Sequence, residues 1–438
     1  MKYGSFPSFR RYAASEHSTI GVLDIGASKV SCFIAELVDD AIDGQDAEVI
    51  GVGHQGSVPA GDGGLTGLDR ARMVKETVAK AQSMAGRVPS AWHVAVSGRH
   101  IVSKRIAVDL CLEGQAVLDE DLQDCHRQGA RLAASEKSHA LHLSPSGYMI
   151  DGHEGIANPL GLSGDNLTAY MLSIAASQTA IANLENCLEH CRIKPDSFIA
   201  APYAASMAVL QEEEKSLGSI CLDIGAKLTG FTLYNDNSLV LTGAVALGSD
   251  HITRDIAKVC GFDLASAERA KTLYGTSFCS PGDETRSVGV SPGMADRPLS
   301  VAELAEVIGP RVEEILRLVA GKVRAAGLDP DQFSRVVLTG GGSQLQGLSE
   351  LIEATRGGKV RVGRPLNLFG APEAVSGAAF SVCAGMIRHV ANLRNNTQPT
   401  FRRFAASSFS DVSRTPHPAT HQSSNPLFKA AGWLRDHF

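Results

Sequence analysis

Apolar residues recur along this chain in two rhythms, short continuous or alternating runs and longer stretches at helical spacing. TIGVLDIG (19–26), KVSCFIAEL (29–37) and AEVIGVGHQGSV (47–58) predict three strands joined by tight turns. Met73, Val74, Val78 and Ala81 then keep near-3.6 spacing, which predicts a helix from Arg70 to Met84, and WHVAVSG (92–98) reads as the next strand. Residues 99–177 carry polar loops and fewer long apolar strands, the pattern of an insertion. A helix at 178–191 and the strand-like SFIAAPYAA lead to GSICLDIGAKLTGFTLYNDNSLVLTGAVALG (218–248), which repeats the opening pattern of strand, Asp-x-Gly turn, strand, turn, strand. That internal duplication is the most informative feature of the pattern.

Helical segments follow around 250–275, then a Gly/Ser/Pro-rich loop at 275–298. Val301, Leu304, Ile308, Val312, Ile315, Val319 and Val323 mark one long helix to Ala326, which Pro310 is expected to kink or divide. SRVVLTGGGSQLQGL (334–348) turns through three glycines into another helix, and a last helix is expected at 375–391. Beyond Asn395 the chain is polar, aperiodic and rich in Ser, Thr and Pro, which predicts a flexible linker.

Length and composition narrow the class. The 438 residues suffice for several packed units. A net charge of −6 provides no global basic field, so nucleic acid is not an expected partner. Nine scattered cysteines without a C-x-x-C pair suit a reducing cytosol, and Cys187 and Cys191 read as small core residues on one helix face. No run of about 18 apolar residues is present to span a bilayer. The first seventeen residues lack the apolar stretch of a signal peptide and read as a loose tail. With 44 glycines and 18 prolines, an α/β protein with many short connections fits better than a helical bundle.

The two Asp-x-Gly turns carry the candidate chemistry: Asp24, Gly26, Ala27, Ser28 and Lys29 in the first, Asp223, Gly225, Ala226, Lys227 and Thr229 in the second. Glycine there lets backbone N–H groups approach an anion, and a carboxylate at the strand end can hold the waters around Mg²⁺. One such turn is ordinary; two in duplicated strand contexts can grip a nucleotide polyphosphate from both sides. Thr339-Gly340-Gly341-Gly342-Ser343 is a third element, either a tight structural turn or a bare backbone surface for a nucleoside or phosphate. Glu268 and Lys271 share a helix face at i,i+3, as a solvated pair or as contacts for ribose and base.

The terminal NPLFKAAGWLRDHF (425–438) predicts a helix capped by Asn425 and Pro426. At about 100° per residue, Leu427, Ala431, Leu434 and Phe438 fall within about 60° of one another, flanked by Phe428 and Trp433. Lys429 and Arg435 are nearly balanced by Asp436 and the terminal carboxylate, so adhesion to a bilayer interface must come mainly from apolar area. Docking on a protein surface is the alternative. His417 and His421 lie in the linker without further ligands, so no metal site is expected there.

Paired phosphate hairpins, a T-G-G-G turn and duplicated lobes resemble the actin, hexokinase and seventy-kilodalton chaperone superfamily. Within it, DIGASKV (24–30), GIANPLGLSG (155–164), LGSDHITRDIA (247–257), AERAKTLYG (267–275), LAEVIGPRVEEIL (304–316) and VVLTGGGSQLQGL (336–348) resemble the FtsA family of bacterial cell-division proteins, across nearly all of residues 19–394. The resemblance implies an actin-like, ribonuclease H-like, duplicated two-lobe α/β fold. It assigns a first lobe to 19–98 and 178–217, an inserted α+β subdomain to 99–177, and a second lobe to 218–259 and 333–394. A small subdomain takes 260–332, and tail, linker and membrane helix take 1–18, 395–424 and 425–438. It further implies ATP with Mg²⁺ held through water by Asp24 and Asp223, and a contribution from Gly248. Head-to-tail self-assembly, recruitment of tubulin-like FtsZ, membrane lipids at the tail and later division proteins on the insertion also follow from it. Those functions place the protein peripherally on the cytoplasmic face of the inner membrane at the division site. Arg311 and Glu314 correspond to the partner-facing helix.

Two departures matter. Ala226, Lys227 and Leu228 stand where the family has more glycine and threonine, and Lys227 either adds charge beside phosphate or crowds it. AAPYAAS (200–206) lacks the acidic side chain with which hydrolysing relatives orient water, so binding is expected over hydrolysis. A small-molecule kinase of the same superfamily, and a shape-determining or pilus-assembly scaffold, are the rival readings.

Overall fold

The computed structural model describes residues 18–38, 46–56, 67–289 and 299–395. The expected N-terminal tail, the end of the third predicted strand, the linker and the C-terminal amphipathic helix with its Leu427, Phe428, Lys429, Ala431, Trp433, Leu434, Arg435 and Phe438 lie outside the described residues.

Residues 18–96 form β1 (Ser18–Ile25), β2 (Lys29–Leu37), β3 (Ala47–Gly56), α1 (Gly67–Ala85) and β4 (Ala91–Val96). The insertion follows as β5 (Val102–Cys111), α2 (Asp119–Ala133), β6 (Ser138–Ile150), β7 (His153–Ile156) and β8 (Asn166–Ser177). The chain then returns through α3 (Gln178–His190), β9 (Ser197–Ala200), α4 (Ala201–Val209) and α5 (Glu212–Ser216). The second half comprises β10 (Ser219–Ile224), β11 (Thr229–Asn235), β12 (Ser238–Val245), α6 (Ser249–Cys260), α7 (Leu264–Tyr274), α8 (Val301–Ala325), β13 (Arg335–Thr339), α9 (Leu348–Arg356), β14 (Lys359–Val362) and α10 (Ser381–Asn395).

Two five-stranded sheets repeat one topology, β3-β2-β1-β4-β9 and β12-β11-β10-β13-β14. In each, three antiparallel strands are extended by two parallel ones. The central strands read as nearly continuous apolar runs because helices cover both faces. Ile20, Val22, Phe33 and Ala35 face a core closed by α10, whereas Leu23, Cys32, Ile34 and Val94 face one shared with α1. The second sheet packs Ile220, Leu222, Phe231 and Leu338 against α6, α8 and α9. The lobes meet where α4 crosses α10 closely enough that a Cβ on Gly385 would overlap the Ala204 carbonyl.

Three local expectations are corrected. The insertion is built on the longest strands among the described residues, β6 with 13 residues and β8 with 12, in a sheet ordered β5-β8-β6-β7 with its own core. SFIAAPYAA is a strand only to Ala200; Pro202 sits in the first turn of α4, where its missing N–H costs nothing. Pro310 does not divide α8, which runs unbroken for 25 residues. Pro310 and Glu306 lie on its exposed side, so the carbonyl that proline leaves without an amide faces solvent.

Candidate functional site

Each half-sheet delivers an aspartate to the same seam. Asp24 and Asp223 each occupy the penultimate position of a strand, and each is followed by a turn closed by one hydrogen bond, Gly26 N–H to Lys29 O and Gly225 N–H to Leu228 O, both 2.9 Å. A side chain at Gly26 or Gly225 would press on that acceptor, at 2.9 and 3.0 Å. Asp223 also pairs in parallel register with Thr339, which sets the Gly340–Gly342 turn beside it. Gly340 has φ of 80° and a Cβ there would lie 2.4 Å from Asp223 Oδ1, so conformation and space both demand glycine. A Cβ on Gly341 would meet nothing within 4 Å; that residue faces open space.

The electrostatics confirm that the aspartates share one environment. Burial pushes the Asp24 carboxyl up to about 6, against the attraction of Lys29. Burial, then repulsion from Asp24, pushes Asp223 up to about 7, again opposed by Lys29. Burial depresses Lys29, while Asp24, Cys383 and Asp223 pull it back. Two carboxylates and one ammonium so placed leave a surplus of negative charge that a divalent cation satisfies, and the donor set is the oxygen type that Mg²⁺ prefers.

Lys29 heads β2, donates to Ala379 O at 2.5 Å and holds its Nζ 3.6 Å from the Phe380 ring centroid. The preceding carbonyl, Ala378 O, accepts from Gly340 N–H at 3.1 Å, and Thr339 Oγ1 meets Ser381 Oγ at 2.6 Å. Successive carbonyls of the turn before α10 thus take donors from both lobes, Ala379 O from Lys29 and Ala378 O from Gly340 and Thr339. The sequence pattern merges this turn into the final helix, and no local signal marks it.

The remaining candidates are placed as follows. Ser28 and Lys227 are exposed at the turn tips, with Ala27 and Ala226 half-buried beside them. Gly225 O and Ala226 O accept from the Ser249 and Asp250 amides at 2.9 and 2.8 Å, which pins the second turn to the start of α6. Gly248 permits this approach, since a Cβ there would lie 2.5 Å from Gly225 O. Thr229 is fully buried and its hydroxyl donates to Leu247 O at 2.8 Å, facing the core rather than the seam. The Ser343 hydroxyl is likewise turned inward, donating to Gly340 O at 2.8 Å.

Lys271 is buried and gives its hydrogens to Glu268 Oε2 at 2.7 Å, Thr253 Oγ1 at 2.8 Å and Ser249 O at 3.3 Å. Thr253 Oγ1 also donates to Glu268 at 2.5 Å. Lys271 therefore orients Glu268 and ties α7 to α6. Arg311 forks onto both Asp255 oxygens, at 2.6 and 2.9 Å, which joins α8 to α6, and it also bonds Glu314 one turn along its own helix. The hydrogen bond to Asp255 raises the Arg311 guanidinium further above its ordinary range.

Duplicated sheets, mirrored Asp-x-Gly turns and a glycine turn at their junction define an actin-like two-lobe protein with an inserted subdomain. A solved PilM–PilN type IV pilus biogenesis complex shares the fold at TM-score 0.59 and 18% identity, covering 86% of this chain and 99% of that one. The model of the family described as cell division protein FtsA matches residues 220–385, and that of the SHS2 domain inserted in FtsA matches 98–175. Cell division protein FtsA of Agrobacterium fabrum strain C58 is 32% identical over 393 residues, 87% of this chain and 89% of its own. That of Escherichia coli K12 is 30% identical, covering 86% and 91%. The chain belongs to the FtsA family of cell-division proteins.

Proposed function

We propose that this protein is a nucleotide-dependent membrane adaptor of division. In this reading ATP with Mg²⁺ lies at the seam, and the protein assembles head to tail and holds FtsZ filaments at the cytoplasmic face of the inner membrane through residues 425–438. Later division proteins would meet it on the insertion. The observation that carries the reading is the convergence of Asp24, Lys29, Asp223 and the Gly340–Gly342 turn, built from strands about 200 residues apart.

Bound Mg²⁺ would supply charge neutralisation for a polyphosphate. Asp24 and Asp223 would hold its waters, the exposed turn tips at Ser28 and Lys227 would face the anion, and Lys29 would add a positive charge. Gly341 would leave space for a nucleoside, and Glu268, held by Lys271 and Thr253, is the candidate contact for its ribose. Family membership and the lack of any carboxylate in α4 favour binding over rapid turnover. Nucleotide then acts by shifting the population toward a closed, assembly-competent shape.

Calorimetric titration of the full chain with Mg²⁺ and a non-hydrolysable ATP analogue tests this. Asp24→Ala should reduce affinity at least about tenfold, the loss of roughly 1.4 kcal/mol; unchanged binding refutes the site. Removing residues 426–438 should abolish co-sedimentation with vesicles and with vesicle-borne FtsZ while leaving the titration intact.

A further inference from the structure

Lys29 stands at the seam, yet its charge is directed elsewhere. Its carbonyl closes the first turn by accepting from Gly26 N–H at 2.9 Å, so the backbone is held and only the side chain is free to move. Asp24 and Asp223 both attract the ammonium. Nζ nevertheless donates to the neutral Ala379 carbonyl at 2.5 Å and sits 3.6 Å from the Phe380 ring centroid.

That berth is held in place from several sides. The Phe33 ring lies 5.9 Å from the Phe380 ring at an angle of 28°, and the His54 ring meets it edge-on at 5.5 Å. Phe380 N–H donates to Gly377 O at 3.0 Å, which closes the short turn that carries Ala379. Lys29 and Phe380 are both half-buried, and a cation over an aromatic face gains more as water is excluded. A carbonyl and a ring are still weaker partners for an ammonium than a phosphate, whose charge-assisted hydrogen bonds are about twice as strong as neutral ones. Lysine can exchange one set for the other, because its charge rides on a flexible four-carbon stem with three donors.

We propose that Phe380 is a positioning residue which holds the Lys29 ammonium at the junction turn, and that a nucleotide's phosphates compete with this berth and draw the ammonium into the seam. The proposal rests on the nucleotide reading above and adds to it the element on which phosphate acts. When Lys29 leaves, Ala379 O loses its donor, beside the Ala378 carbonyl that accepts from Gly340 N–H at 3.1 Å. Phosphate, unlike a nucleoside alone, thereby alters the turn where α10 of the first lobe meets the glycine turn of the second.

A lysine over a ring face has upfield-shifted ε-methylene protons. Carbon-13 labelling at lysine Cε in the full chain resolves that resonance, and its loss in Lys29→Arg identifies it. With Mg²⁺ present throughout, a non-hydrolysable ATP analogue should return the resonance to the ordinary lysine position, whereas adenosine, which offers no phosphate, should leave it shifted. Phe380→Leu should abolish the shift without ligand and tighten calorimetric binding of the analogue roughly two- to tenfold, since no ring holds the lysine back. Should Phe380→Leu fail to fold, the wild-type spectra with the two ligands decide alone. A resonance that is unshifted without ligand, or unmoved by analogue that calorimetry shows to be bound, overturns the inference and leaves the nucleotide reading intact. So does adenosine acting as the analogue does, or affinity in Phe380→Leu that is unchanged or weaker. No calorimetric binding of the analogue to wild type refutes the nucleotide reading itself, and this inference falls with it.

Discussion

The Ser103 hydroxyl takes both backbone groups of Thr242, accepting its N–H at 2.9 Å and donating to its carbonyl at 2.5 Å. Ser103 belongs to the insertion and Thr242 to β12, an edge strand of the second sheet. One side chain thereby stands in for the missing neighbour strand and links the insertion to the lobe it does not interrupt. Ser103→Ala should leave two edge groups unmatched at a cost of about 1–2 kcal/mol. The expected signature is faster amide exchange at Thr242 with β10 and β13 unaffected; unchanged exchange would show that the contact does not hold the insertion.

Asp24 and Asp223 make the seam pH-sensitive. Their carboxyls titrate near 6 and 7 in the fold against 3.8 ordinarily, so between about pH 4 and 7 the folded chain binds more protons than the unfolded one. Their contribution to stability is full below the ordinary value and declines as pH rises through the folded ones. Asp223→Asn removes the repulsion, and should stabilise the nucleotide-free protein by about 1–2 kcal/mol at pH 7.5 and hardly at pH 4.5. The same substitution should weaken Mg²⁺–nucleotide binding. Thermal melts at the two pH values, paired with calorimetry, check both arms, and a uniform loss of stability would mark Asp223 as merely structural.

The buried histidines give the opposite slope. His93 pairs with Ser197 Oγ at 2.7 Å, His142 accepts from Ala200 N–H at 3.0 Å, and His389 meets Tyr203 Oη at 3.2 Å. His142, Tyr203 and His389 pack edge-on and tilted against one another where the insertion's β6 reaches α4 and α10. Burial drives His93 down to about 3, His389 to about 4, and His142 well below its ordinary value. These groups stay neutral in the fold and charge only on unfolding, so stability present above pH 6.5 is lost as pH falls toward the folded values. His389→Gln keeps a partner for Tyr203 and should flatten the acid limb between pH 4 and 6 by about one proton. Urea midpoints across that range measure it.

How far these features were legible depends on how local their causes are. Asp24–Gly26 and Asp223–Gly225 are written in adjacent residues, so the duplicated hairpins and their lobes follow from spacing. The insertion was harder because β6 carries bulges near Leu141 and Ser146, which break its two-residue period around Pro145 and Gly147. The Lys29–Ala379 bond joins residues 350 positions apart, and nothing near either marks the other. Lys271 and Arg311 show the converse difficulty: the pattern finds the charged pair, but only packing of α6 reveals that its carboxylates and carbonyls absorb those charges.

Neighbouring glycines in the junction turn should behave differently. Gly340 holds a positive φ and abuts Asp223 Oδ1 and Ile224 O, so Gly340→Ala combines backbone strain with a clash and should destabilise the fold by about 2–4 kcal/mol. Gly341 has no neighbour within 4 Å of its would-be Cβ, so Gly341→Ala should shift stability by less than about 1 kcal/mol. Gly341→Asp should fold equally well yet project a negative charge where a nucleotide's surface is proposed to lie, weakening its binding at least about tenfold. Melting and calorimetry on the three variants separate fold from ligand. If Gly341→Asp binds nucleotide as wild type does, the turn is structural only, and the seam would have to take its ligand from the hairpin side alone.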